Sequence, residues 1–154
     1  MDNMIFRQNT KSVASYIFGS VMAGLYGMYV FWEYIKEEER YYSSGNELLM
    51  VTGIMMMAVM FYGFYSAHVL SSQYIEISAG TVTGTGLDQS FLMRAKPFTC
   101  KVSQITRVGV VSHLGARNCL ELKIDGEIPV VCHVQDVKQA GIAINSLLKQ
   151  REAA

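Results

Sequence analysis

Two stretches without a single ionisable acid, lysine, arginine or histidine constrain this chain more than anything else in it. The first runs from Ser12 to Trp32, 21 residues, and the second from Leu48 to Ala67, 20 residues. At about 1.5 Å of rise per residue, each would make a helix roughly 30 Å long, the thickness of a bilayer's hydrocarbon core. A soluble fold of 154 residues has too little protein to cover two such helices on every side. The remaining composition agrees: 17% of residues are charged and 51% are apolar, where ordinary globular chains carry about 25% charge. The stretches predict two transmembrane helices, spanning about 12–34 and 47–70, within a segment 1–72 that precedes a separate domain over 73–154. A cleaved signal peptide needs a shorter apolar core and small residues at its cleavage site. Here the first stretch ends in "YVFWEYIKEEER", bulky aromatics running straight into charge.

Within the first span Ser15, Gly19, Ala23 and Gly27 recur at every fourth position. Small residues on one face let another helix approach closely. The second span has a shorter row, Gly63, Ala67 and Ser71, with Gly53 further back. A short connector forces the spans together, so the rows predict packing within the hairpin ahead of packing between copies. In the connector "KEEERYYSSGN", Ser44 stands three residues before Glu47, a capping-box spacing that would launch the second helix. Trp32, Tyr34, Tyr41 and Tyr42 fall where one membrane–water interface belongs; Tyr16, Phe18, Tyr62, Phe64 and Tyr65 fall at the other. Met50, Met55, Met56, Met57 and Met60 suggest a soft-metal site, but three are consecutive and must point different ways around a helix. Flexible thioethers suit lipid contact and uneven helix packing better.

Formal net charge is zero, which excludes binding to nucleic acid through a strongly basic surface. Arg7 and Lys11 before the first span balance Lys36 and Arg40 in the connector, so the positive-inside count is tied. The connector's five acids tilt the choice toward both termini, and the C-terminal domain, lying in the cytoplasm.

After His68 the pattern changes from continuous apolar to alternating. "QYIEIS" puts Tyr74 and Glu76 on one face and Ile75 and Ile77 on the other; Ser-Ala-Gly then reads as a tight turn before "TVTGTGL". "FTCKVSQITRVGVVSHLG" holds one or two strands, and "NCLELKIDGEIPVVCHV" is a hairpin about Asp125-Gly126. A two-residue turn there places Cys119 opposite Cys132 as neighbouring reduced thiols. Pro129 predicts a bulge or an unpaired side in the return strand. Asp136 begins a helix whose apolar face is Val137, Ala140, Ile144, Leu147 and Leu148. The fold class is α+β: a two-helix membrane hairpin, then five to seven antiparallel strands curved into a sheet or partial barrel, capped by a C-terminal helix.

This layout, with "YIEISAGTVTGTG", "VSQITRV", "LELKIDG" and "DVKQAGIAINSLL" in order over residues 73–150, resembles the bacterial pleckstrin-homology-like membrane proteins. The resemblance implies a seven-stranded barrel capped by the last helix and no enzymatic activity. Relatives that bind phosphoinositides do so through bases in the first hairpin, where this chain has "ISAGTV" and no base.

No G-x-S-x-G, P-loop or H-E-x-x-H is present, and "GTVTGTG" lies between strands with no helix after it. Cys100, Cys119 and Cys132 lack C-x-x-C spacing. No cofactor, metal or catalytic residue is assigned. His68 ends a span, His113 precedes a loop containing Arg117, and Arg94, Lys96 and Arg117 are the candidates for contact with lipid headgroups. The expectation is a non-enzymatic, membrane-anchored interaction module that binds a protein partner or itself. The alternative is a lipid- or small-ligand-handling accessory subunit of a membrane transporter.

Overall fold

The computed structural model describes residues 4–38, 46–88, 94–113 and 116–152. The chain divides into two compact units: the hairpin Val13–His68, and a β unit made of the residues up to Ser12 together with Val69–Ala154.

The hairpin consists of α1 (Thr10–Glu38) and α2 (Asn46–Ser71). Asn9 starts α1, its Oδ1 accepting the backbone N–H of Lys11 at 3.1 Å and of Ser12 at 3.4 Å, as an N-cap does. Mean hydropathy reaches 1.4 over Thr10–Lys36 and 1.8 over Glu47–Ser71, so both helices are long and apolar enough to cross a membrane. Only 22% and 11% of their most apolar windows are buried. Phe18, Trp32, Met55 and Phe61 instead face outward. The capping box at Ser44 and the aromatic pair Tyr41 and Tyr42 lie outside the described residues.

The β unit is an antiparallel sheet of seven strands: β1 (Met4–Arg7), β2 (Tyr74–Ser78), β3 (Thr81–Leu87), β4 (Ala95–Lys101), β5 (Ile105–His113), β6 (Ala116–Ile124) and β7 (Val130–Cys132). A 3-10 turn, Val102–Gln104, separates β4 from β5, and α3 (Val137–Glu152) closes the chain. Alternation puts Ile75, Ile77 and Val82 inward, where they meet Leu120, Leu122, Val130 and Val134. Val137, Ala140 and Ile144 of α3 complete that core, with Leu147 and Leu148 packed against it, so the predicted apolar face is the buried one. The turn between β2 and β3 takes Ala79 and Gly80 to φ of 45° and 80°, the left-handed pair of a primed hairpin turn. The glycines of β3 serve close approach: a Cβ on Gly84 would strike the Tyr74 carbonyl, and one on Gly86 would strike Val130.

Three expectations are corrected. Among the described residues the sheet does not close into a barrel. Its order is β1-β2-β3-β7-β6-β5, with β4 on β3 as well. The 3-10 turn and the register shifts in β5 carry the chain away from β4, and α3 packs beside the gap. Second, residues 4–9 belong with the β domain: Met4–Arg7 pair with Tyr74–Ile77 as an edge strand. Third, Cys119 is not opposite Cys132. The Asp125-Gly126 turn forms, with Glu127 N–H donating to the Ile124 carbonyl at 3.1 Å and Gly126 at φ 73°. The return chain then runs outside the ladder through Glu127, Ile128 and Pro129, whose nitrogen has no hydrogen to donate. Pairing resumes one residue out of step, Leu120 with Cys132 and Leu122 with Val130. A slip of one residue exchanges faces. Cys132 therefore joins the core and Cys119 points the other way.

Candidate functional site

A set of buried and half-buried polar side chains in the β unit gathers around His133. Sequence reasoning assigned this residue nothing; its one signal is a histidine inside the apolar run "VVCHV". The register that turns Cys119 out of the core turns it onto His133, its Sγ lying 3.6 Å from both ring nitrogens. From the end of β5, His113 brings Nδ1 to 3.4 Å from His133 Nε2, the two rings meeting edge to face at 5.6 Å. Gln73, two residues beyond the end of α2, is 1% exposed, and His133 is 2% exposed.

Backbone bonds make His133 a clasp. Its N–H donates to Gln73 Oε1 at 2.6 Å. Its carbonyl accepts the Asn9 N–H at 2.8 Å, and the Gln135 N–H donates to the Arg7 carbonyl at 3.0 Å. Both segments that join the hairpin to the β unit are thus tied to residues 133–135. The Gln73 Nε2 amide is buried with no hydrogen-bond partner among the described residues.

Burial, reinforced by the neighbouring His113, pushes His133 down to about 4, and burial also lowers His113. Burial raises the Cys119 thiol, against the pull of a hydrogen bond with the His113 backbone. Burial and the adjacent Cys119 push Cys132 far above the range in which a thiolate forms, and burial with the Glu127 charge raises Cys100. All three cysteines are buried, outside any disulfide and held as thiols, the opposite of the electropositive, accessible setting of a reactive cysteine.

Nor do the imidazoles and thiol converge as metal ligands. A cation on the outward lone pair of Nε2 would hold a sulfur far from Nδ1 of the same ring, whereas Cys119 Sγ is equidistant from both nitrogens. Among the described residues no three His, Cys, Asp or Glu side chains form a set able to hold a metal ion.

The predicted helix-packing residues divide. Gly27 and Gly63 do lie in the contact: a Cβ on Gly27 would be 3.2 Å from Met56 Cβ, and one on Gly63 would strike Ser20. Ala67 is buried and Ala23 half-buried. Ser15 and Gly19 are exposed, and nothing lies within 4 Å of a Cβ on Gly19. The face that α1 turns to α2 is Ser20, Gly24, Gly27 and Phe31, meeting Gly63, Met60, Met56 and Gly53. The reason is rotational. Every fourth residue drifts about 40° per step around a helix with 3.6 residues per turn, so the predicted row winds off its partner. Steps of four, three and four stay in line.

Of the headgroup candidates, Arg94 is exposed and Lys96 is committed to Glu127 in an ion pair of 2.9 Å. The side chain of Arg117 lies outside the described residues.

Comparison of the chain with protein-family models, with curated proteins and with solved structures finds no match.

Proposed function

We propose that this chain is a non-enzymatic, membrane-anchored interaction module with a β domain of pleckstrin-homology-like type. Its hairpin crosses the bilayer twice and holds the β unit at the cytoplasmic surface, where the unit binds a protein partner. The observation that carries the reading is the pairing of Arg7 with Tyr74. The strand before the first apolar helix and the strand after the second are neighbours in one sheet. A sheet that takes one strand from each end of a helical hairpin suits a domain tethered twice to its anchor.

A pull-down of the full chain from gentle detergent tests this. A protein recovered in stoichiometric amount supports it. Co-purifying lipid without a protein partner overturns it in favour of an accessory subunit that handles lipid.

A further inference from the structure

Strand β5 ends the sheet. Its one neighbour is β6, and among the described residues no strand or backbone group covers its other edge. Between the register shifts near Thr106 and Ser112, Arg107–Val111 runs as regular strand. Beside that edge lies a groove of about 270 Å³ between β5 and α3, lined by Val108, Val110, Gly141 and Ile142, with Lys138 on its rim. Val110 is 54% exposed and Ile142 69% exposed. Open edges of this kind usually carry a protective charge or are covered.

The charges here say what covers it. On the face of β5 away from α3, Arg107 stands directly opposite Lys123, both exposed. Like charges so placed repel one another. The acid on that face is Glu121, opposite Gly109, so the edge keeps an excess of bases, with Lys138 adding to it. A second copy does not relieve this. The other edge strands present Arg7 on β1 and Lys101 on β4, and β5 would bring its own Arg107. The chain's own acidic stretch, 33–47, overlaps the end of α1 and begins 26 residues after β1 ends.

We propose that the β5 edge is a docking site for an extended segment of a partner protein, alternating apolar and acidic residues, which adds to the sheet as a further strand. Backbone hydrogen bonds to Arg107–Val111 hold it, its apolar side chains enter the α3 groove, and its carboxylates meet Arg107 and Lys123. This rests on the interaction-module reading and names the surface and the chemistry of its partner.

The test uses the full chain in lipid nanodiscs, titrated with a fluorescent peptide as long as β5 that alternates valine and glutamate, and with its valine–lysine counterpart. The glutamate peptide is expected to bind, to weaken with added salt, and to slow hydrogen exchange at Arg107–Val111. Arg107→Glu and Ile142→Glu, both surface changes, are each expected to weaken binding roughly tenfold, with exchange in β2 and β3 unchanged to show that the fold survives. Failure of the glutamate peptide to bind, equal binding of the lysine peptide, or unchanged exchange in β5 overturns the proposal. So does protection of β5 that rises with the concentration of the chain itself, which makes the occupant a second copy. In the detergent pull-down, a stoichiometric partner retained by Ile142→Glu leaves the interaction module standing and refutes this edge.

Discussion

His133 shows how one residue joins chemistry to architecture. Its ring is buried and neutral, while its backbone holds the segments on either side of the hairpin. The folded-state value near 4 lies below the ordinary 6.5 of an unfolded chain. Between those two values the unfolded state binds the extra proton, so stability rises with pH across that window and is lost as pH falls through it. Charging His113, 3.4 Å away and also lowered by burial, acts in the same direction. Denaturation of the full chain in detergent at a series of pH values between 4 and 7 should show the loss, up to about 3 kcal/mol. The variant His133→Gln, which cannot charge, should show a shallower slope. At the same scale the glycines separate. Gly24→Leu and Gly63→Leu force a side chain into Met60 or Ser20 and should cost about 1–3 kcal/mol as overpacking. Gly19→Leu, with open space around it, should leave thermal unfolding in detergent unchanged.

Among the elements, β1 is the one with most consequence for its size. Its four residues cover the edge of β2, and Phe6 packs against the core of Ile75, Leu120 and Ile144. Removing that ring should destabilise the β unit by about 1–3 kcal/mol, below the full cost of a buried aromatic because Phe6 is half-buried. Phe6→Ala should therefore lower the melting temperature and speed hydrogen exchange in β2 while leaving β6 protected. Equal speeding in β6 would mean that the sheet opens as one unit and that β1 has no local role. Strand β7 is the counterpart case. It has only three residues, yet it links β3 to β6 through Leu87–Val131 and Leu120–Cys132 and so makes two half-sheets one.

At the scale of the whole molecule, two apolar helices and a sheet tied by β1 and β2 at both ends of the hairpin predict an anchor independent of charge. High-salt and carbonate washes should leave the chain in the membrane fraction; release by either would refute the two-span reading. How much of this was legible beforehand follows from the range of each interaction. The spans, the alternation of β2, the turn at Asp125-Gly126 and the apolar face of α3 are local: each follows from side-chain periodicity or turn chemistry within a short window. Four features are not local. Whether residues 4–7 form a strand depended on a partner some 70 residues away, because so short an alternation carries no signal of its own. Which face of α1 packs depended on where α2 lies, since small residues at two spacings competed for it. The register at Cys119 depended on how many residues pass outside the ladder around Pro129, a choice made when Val131 met Leu87. The clasp at His133 exists only once that register is set. The chemistry of the chain by itself determined two helices long and apolar enough to cross a membrane, the strands and turns legible within a short window, and the apolar face of α3. Their edges, faces and register were decided by contacts between residues far apart in sequence, where packing and hydrogen bonds made at a distance outweigh local preference.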